Sequence, residues 1–226
     1  MGNEFIRNIK YYTKCFLDLI YSGTEKCIIC GEISETNRML CLECIKSIKL
    51  CNKETVLNQD GYKFYCYSSL YYGGSTKELI LNLKYKGKFL AGRELLSYLI
   101  NTIELYNIKF DIITYVPSSK TKLKKRGYNQ SKYLAKLVAE RTGKKLLNTL
   151  EKNKETKDQI GLDKYERWEN LKESFICVGN NKLIRQKVLL VDDVLTTGAT
   201  AFYCAKKLKK SGANDVVILT VAKSNL

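Results

Sequence analysis

Lys187-Val188-Leu189-Leu190-Val191-Asp192-Asp193-Val194-Leu195-Thr196-Thr197-Gly198-Ala199-Thr200 is the segment on which the fold turns. Lys187–Val191 is almost continuously apolar, so it reads as a strand covered on both faces, as in a parallel sheet. A helix is expected over Ala199–Lys210, ended by Gly212. Open α/β sheets bind ligands beyond the carboxyl ends of such strands, which puts Asp192 to Thr200 at the binding edge. The backbone N–H groups of Thr196-Thr197-Gly198, at a helix N-terminus, form a nest for a phosphate. The hydroxyls of Thr196, Thr197 and Thr200 add donors, and Gly198 lets the backbone come close. Asp192 and Asp193 can accept hydrogen bonds from the neighbouring hydroxyls of a sugar. Phosphate at one end and diol at the other describe a ribose 5-phosphate. The plainer reading is a strand that ends in a capped helix, where Asp and Thr are ordinary cap residues. No Walker-type phosphate loop is present in the chain, which weighs against a nucleotidase or helicase reading of the acidic pair.

Outward from this segment the rhythm is strand and helix. Val216-Val217-Ile218-Leu219 lies within a second fully buried strand, Asp215–Val221, and Asp111–Val116 is a third, stopped by Pro117. Lys63–Tyr72 is β-prone and closed by Gly73-Gly74. Ser75 caps a helix through Lys84, with Glu78 completing a capping box. Phe89–Leu105 is a further helix, and Asn129-Gln130-Ser131 opens another to about Arg141, ended by Gly143. Phe175–Val178 is a strand, and residues 151–173 form a polar loop or short helical excursion. The expected fold is α/β, a mostly parallel sheet flanked by helices. The expected organisation is an amphipathic helix over 1–22, a Cys-punctuated segment over 23–60 and the α/β domain over 61–226. Phe5, Ile6, Ile9, Phe16, Leu17 and Ile20 give the first helix an apolar face for docking, with a membrane surface as the alternative. Arg7, Lys10, Lys14 and Asp18 interrupt that run, so neither a signal peptide nor a membrane span is expected, and the location is read as cytoplasmic.

Cys27-Ile28-Ile29-Cys30 and Cys41-Leu42-Glu43-Cys44 are two CxxC knuckles. Each presents two thiolates at a tight bend, and together Cys27, Cys30, Cys41 and Cys44 make an S4 site for zinc. Gly31 suits the turn. Four thiolates leave no coordination position for a catalytic water, so the zinc is structural. A redox role for one CxxC pair is the alternative. Cys15, Cys51, Cys66, Cys177 and Cys204 read as packed small hydrophobes.

The net charge is +16, from 39 basic and 23 acidic side chains. Residues 1–70 hold 9 basic and 8 acidic side chains, so nearly all of the excess lies in the larger domain. It is densest from Lys120 to Lys145, where Glu140 is the single acid. Such a stretch attracts polyanions in a salt-dependent way; a solvated Lys-rich face is the bland alternative. Arg126-Gly127-Tyr128 sets an aromatic beside cations, as single-strand binders do, so residues 120–132 also read as a basic loop that meets nucleic acid directly. Lys124, Lys125, Arg126 and Tyr128 are therefore the nucleic-acid candidates.

Val188–Thr200 closely resembles the 5-phosphoribosyl-1-pyrophosphate (PRPP) signature of type I phosphoribosyltransferases. The chain from about residue 20 resembles the competence protein F (ComF) family, in which a zinc ribbon precedes such a domain. The likeness rests on the CxxC pairs, on Val116-Pro117 followed by Lys124-Lys125-Arg126-Gly127-Tyr128-Asn129-Gln130-Ser131, and on the signature. It extends to Thr156, Gln159, Leu162, Arg167, Asn170 and Phe175. Cys51 lacks the CxxC partner found in relatives with a second cysteine set, so one zinc is expected. The resemblance implies that Asp192 and Asp193 hold the ribose 2- and 3-hydroxyls and that Thr196, Thr197, Gly198, Ala199 and Thr200 cradle the 5-phosphate. Pro117-Ser118-Ser119 matches the pyrophosphate-loop position, with Arg126 as the pyrophosphate contact and Lys124, Lys125, Asn129 and Gln130 along the same edge. Mg²⁺ is the implied companion of PRPP. Two readings follow: a DNA-uptake factor that binds PRPP and works with single-stranded DNA and a helicase-like competence protein, or an active Mg²⁺-dependent phosphoribosyltransferase whose acceptor the residues do not select. The chain has no His, so a general base would be a carboxylate, Lys, Tyr or the substrate itself.

Overall fold

The structure is a computed structural model and describes residues 26–34, 39–51, 53–153, 168, 171–179 and 182–224. The expected helix over 1–22 and the positions Thr156, Gln159, Leu162, Arg167 and Asn170 lie outside the described residues. The chain divides into two compact units, 1–46 and 47–226. The first contains a short helix α1 (Leu42–Lys46), which begins within the second cysteine knuckle and carries Cys44.

The second unit holds β1 (Glu54–Gln59), β2 (Tyr62–Tyr71), α2 (Gly74–Tyr85), α3 (Phe89–Leu105), β3 (Ile112–Tyr115), α4 (Lys120–Arg126) and α5 (Gln130–Thr142). After these come β4 (Lys145–Leu146), β5 (Leu150–Lys152), β6 (Phe175–Cys177), β7 (Lys187–Leu195), α6 (Ala199–Lys210) and β8 (Asp215–Lys223). The main sheet has the order β1-β2-β8-β7-β3-β4. Only the β1–β2 pair is antiparallel; the others run parallel, as the unbroken apolar runs require. Strands β5 and β6 form a separate antiparallel pair.

Successive strand residues face opposite sides. One side of the sheet, with Phe64, Cys66, Val188, Leu190, Val216 and Ile218, packs on Phe202, Ala205 and Leu208 of α6. The Phe202 ring lies edge-on to Phe64 at 5.5 Å and against Trp168 at 5.2 Å. The other side is covered by α3 and α5, whose Leu95, Leu99, Leu134 and Val138 are fully buried.

Three local features differ from the sequence expectation. Glu54–Gln59, assigned with the Cys-rich segment, is a strand of the large sheet, joined to β2 through Asp60-Gly61. Both turn residues have positive φ, 52° and 74°, the two-residue turn whose twist suits a hairpin. Helix α2 has no capping box: Gly73 precedes it without a side-chain cap, and Ser47 Oγ accepts from Ser75 N–H at 3.1 Å instead. The basic run from Lys120 is a helix, capped by Ser119 Oγ and ended by Gly127 in the left-handed region, φ 78°. Helix α5 is as expected, with Asn129 Oδ1 accepting from the N–H groups of Ser131 and Lys132 and Gly143 closing it.

Helices α3 and α5 meet at Gly92, where a Cβ would stand 2.5 Å from Tyr133 Cε1. Gly92→Ala is expected to lower stability by about 1–3 kcal/mol through overpacking, although alanine is the better helix former. Urea denaturation checks this, and Gly92→Ala/Tyr133→Leu should recover most of the loss.

Candidate functional site

Strand β7 does not stop at Val191. It runs to Leu195, with Asp192 paired opposite Thr220 and Val194 opposite Ala222 of β8. The acidic pair therefore sits on hydrogen-bonded strand backbone rather than in the loop beyond it. Both aspartates are nearly buried, 9% and 6% exposed, yet both line a cleft of about 210 Å³ at the carboxyl end of the sheet.

Each carboxylate has its own partners. Asp192 Oδ1 accepts from Ser131 Oγ at 2.8 Å and from Asp193 N–H at 2.9 Å. Ser131 lies in the first turn of α5, so the capping turn that starts the helix also aims a hydroxyl at the aspartate. Asp193 Oδ2 pairs with Lys84 Nζ of α2 at 3.0 Å. Burial works against the Lys84 charge, but the nearby Asp193 outweighs it and holds the ammonium's pKa above its ordinary value. Asp192 is raised to about 7, first by burial and then by the charge of Asp193, against the lowering hydrogen bond from Ser131.

The loop after β7 is shaped by Gly198, the N-cap of α6, at φ 83°. Its missing side chain matters: a Cβ would fall 2.6 Å from Leu57 Cδ2 of β1. Thr196, Gly198 and Thr200 line the cleft, whereas Thr197 and Ala199 are not among its lining residues. Thr197 Oγ1 instead accepts from Ala199 N–H at 3.5 Å and shapes the turn.

Pro117, Ser118, Ser119 and Arg126 line the same cleft, so the structure brings the two sequence-predicted loops together. Asn129 Nδ2 donates to Val116 O at 2.9 Å, tying the start of α5 to the end of β3. Arg126 is held by Gln130 Oε1 at 2.9 Å and by Tyr85, whose hydroxyl accepts at 3.2 Å and whose ring lies 4.7 Å below the guanidinium. Lys84, Lys122 and Lys152 add three cations that the motif reading did not assign to this site. Lys84 and Tyr85 sit in the last turn of an unremarkable amphipathic helix, and no local signal marks them.

Lys124 and Lys125 are exposed on α4 and are not in the cleft lining. Tyr128 belongs to an adjoining groove of about 610 Å³, with Phe89, Tyr133, Lys132 and Lys136. Its ring lies 5.1 Å from Phe89, and among the described residues its buried hydroxyl has no hydrogen-bond partner.

In the first unit, Gly31 N–H donates to Cys27 O at 2.9 Å and Cys27 N–H to Glu32 O at 2.7 Å, with Gly31 at φ 81°. The Sγ atoms of Cys27, Cys30, Cys41 and Cys44 all lie within 4.8 Å of one another. The Cys30–Cys41 separation is 3.7 Å, close to the edge of about 3.8 Å of a tetrahedron with Zn–S bonds of about 2.3 Å. Burial opposes ionisation of Cys27, but backbone N–H groups of Cys30, Cys41 and Ile29 outweigh it and bring the thiol down to about 6. The four sulfurs are thus arranged as a site that could hold a metal ion.

Competence protein F of Haemophilus influenzae is 31% identical over 153 residues, covering 65% of this chain and 67% of that protein. The chain belongs to the competence protein F family. Competence protein ComFC of Streptococcus pneumoniae is 25% identical over 88% of this chain and 100% of its own length. ComFC of Bacillus subtilis is 26% identical over 88% of this chain and 78% of its own. No family model matches the chain. Among solved structures, adenine phosphoribosyltransferase from Thermoanaerobacter pseudethanolicus is similar at 17% identity and TM-score 0.42, over 80% of this chain and 98% of that one. Orotate phosphoribosyltransferase from Francisella tularensis is similar at 15% identity and TM-score 0.33, over 79% and 78%. No helix among the described residues is long and apolar enough to cross a membrane.

The raised pKa of Asp192 has a sign that can be tested. A carboxyl protonated more readily in the fold than in the unfolded chain contributes stability that is full below its ordinary value of 3.8 and is lost as pH rises through about 7. Asp192→Asn, which keeps an acceptor for Ser131 but no charge, should raise the melting temperature by a few degrees at about pH 8. The gap to wild type should close toward about pH 4. A gap that stays constant across this range would contradict a raised Asp192 pKa.

Proposed function

We propose that the chain binds PRPP, or another ligand with a ribose 5-phosphate group, in the cleft between the end of β7 and the start of α6. The observation that carries this reading is the convergence of Asp192, Asp193, Thr196, Gly198 and Thr200 with Ser118, Ser119 and Arg126 around one cavity. The carboxylates accept from the 2- and 3-hydroxyls, the hydroxyls of Thr196 and Thr200 with the backbone at Gly198 hold the 5-phosphate, and Arg126 meets the pyrophosphate. Lys84, Lys122, Arg126 and Lys152 outnumber the two acids in the lining, as a polyanionic ligand demands. Mg²⁺ suits the carboxylate oxygens of Asp192 and Asp193. Among the described residues, however, the Cys27, Cys30, Cys41 and Cys44 group is the only cluster of three or more His, Cys, Asp or Glu ligand atoms. Mg²⁺ would therefore enter on ligand oxygens beside the two aspartates, and it would neutralise the leaving pyrophosphate. In the biological reading this binding serves DNA uptake in the cytoplasm, in keeping with the competence names of the relatives, alongside single-stranded DNA and a helicase-like competence protein. Active phosphoribosyl transfer is the second reading; the intact acidic pair favours ligand binding, and positioning and charge stabilisation would then supply the catalysis.

PRPP titration by calorimetry with Mg²⁺ tests the pocket. Wild type should bind, and Asp192→Asn/Asp193→Asn should lose about tenfold or more in affinity. No heat from wild type refutes the proposal.

The exposed Lys124 and Lys125, with Arg126 and the Tyr128 groove, are the proposed contact for single-stranded DNA. Changing Lys124, Lys125 and Arg126 to Ala should weaken binding of a labelled oligonucleotide and flatten its salt dependence; an unchanged salt slope removes this surface from consideration. The cysteine cluster is proposed to hold one structural zinc. Metal analysis should find about one zinc per chain, and Cys27→Ser should bring it close to zero.

A further inference from the structure

The last turn of α2 places Lys84 and Tyr85 beside two different parts of the cleft. Tyr85 carries the Arg126 guanidinium on its ring. Lys84 pairs with Asp193 and lines the same cleft as Arg126; its ammonium feels the attraction of Asp193 and Asp192 and, more weakly, the repulsion of Arg126. An ammonium has three donors. Among the described residues Lys84 makes one ion pair, to one oxygen of Asp193, and its side chain is 18% exposed, lining the cleft.

Asp193 engages one of the three donors, and Lys84 shares the cleft lining with a second cation, Arg126. Two cations lining one cleft repel, and that arrangement becomes favourable when an anion lies between them. A diphosphate fits the distribution: its charge falls between the Arg126 side and the diol side, and Lys84 occupies the junction.

We infer that Lys84 is a binding residue for the pyrophosphate end of the phosphoribosyl ligand, keeping its pair with Asp193 and giving its remaining donors to phosphate oxygens. This rests on the phosphoribosyl reading of the cleft and adds a residue from an element that the signature does not include. It also separates the roles of the two neighbours on α2, since Tyr85 only positions Arg126 whereas Lys84 touches the ligand.

The test compares Asp193→Asn with Lys84→Met/Asp193→Asn, with inorganic pyrophosphate, ribose 5-phosphate and PRPP as separate calorimetric probes. The double variant removes both partners of the ion pair, so neither is left behind as an unmatched charge, and thermal melts confirm that both variants are folded. Asp193→Asn frees Lys84 and should bind pyrophosphate at least as tightly as wild type. Lys84→Met/Asp193→Asn should bind it about tenfold or more weakly, the loss expected for a charge-assisted contact, while ribose 5-phosphate affinity stays equal in the two variants. Lys84→Arg/Asp193→Asn should recover part of the pyrophosphate affinity. Equal pyrophosphate affinity in the single and double variants overturns the inference and leaves the phosphoribosyl reading standing. Wild type that binds none of the three probes overturns both.

Discussion

Two carboxylates on consecutive residues of a buried strand repel each other and have lost most of their water. The cleft is built around that constraint. Asp192 and Asp193 keep their places because α5 sends in the Ser131 hydroxyl and α2 sends in the Lys84 ammonium. The remaining strain shows in Asp192, whose pKa is lifted to about 7. An all-apolar strand end would fold more easily. The site therefore trades some stability for a pair of acceptors facing a cavity, as functional sites commonly do.

The same economy extends to the loop after β7. Gly198 can take its left-handed conformation and lie against Leu57 because it has no Cβ. Leu57 of strand β1 thus packs against the turn of the proposed phosphate site. Asn129 performs a comparable double task, capping α5 and binding the carbonyl of Val116, so the position of Ser131 and the position of the Pro117-Ser118-Ser119 turn are set by one side chain. Cavity, capping and sheet edge are linked through a handful of polar side chains.

The fold was legible where local chemistry is strong. The apolar runs Val188–Val191 and Val216–Leu219 marked strands buried in a parallel sheet, and Asn129 and Gly143 marked both ends of α5. Legibility failed where a local signal was weak or outvoted. Asp60-Gly61 carried a hairpin signature that would have assigned Glu54–Gln59 to the sheet, but proximity to the cysteines placed it elsewhere. Ser75 and Glu78 matched a capping box, yet Ser47, distant in sequence, supplied the hydroxyl. The run from Lys120 read as a loop because its lysines hide the Ser119 cap and the Gly127 stop.

By itself the sequence determined the class of the domain, the paired knuckles and the candidate loop, because each depends on neighbours along the chain: apolar continuity, CxxC spacing, Asp-Asp and Thr-Thr-Gly at a strand end. Only the tertiary structure decided that Asp192 and Asp193 lie within the strand, that Lys84, Lys122 and Lys152 face the same cavity, and that Arg126 rests on Tyr85 while Lys124 and Lys125 face solvent. Those outcomes depend on where helices far apart in the chain are carried by the sheet. A lysine at the end of an amphipathic helix has the same local pattern whether it meets water or a buried carboxylate.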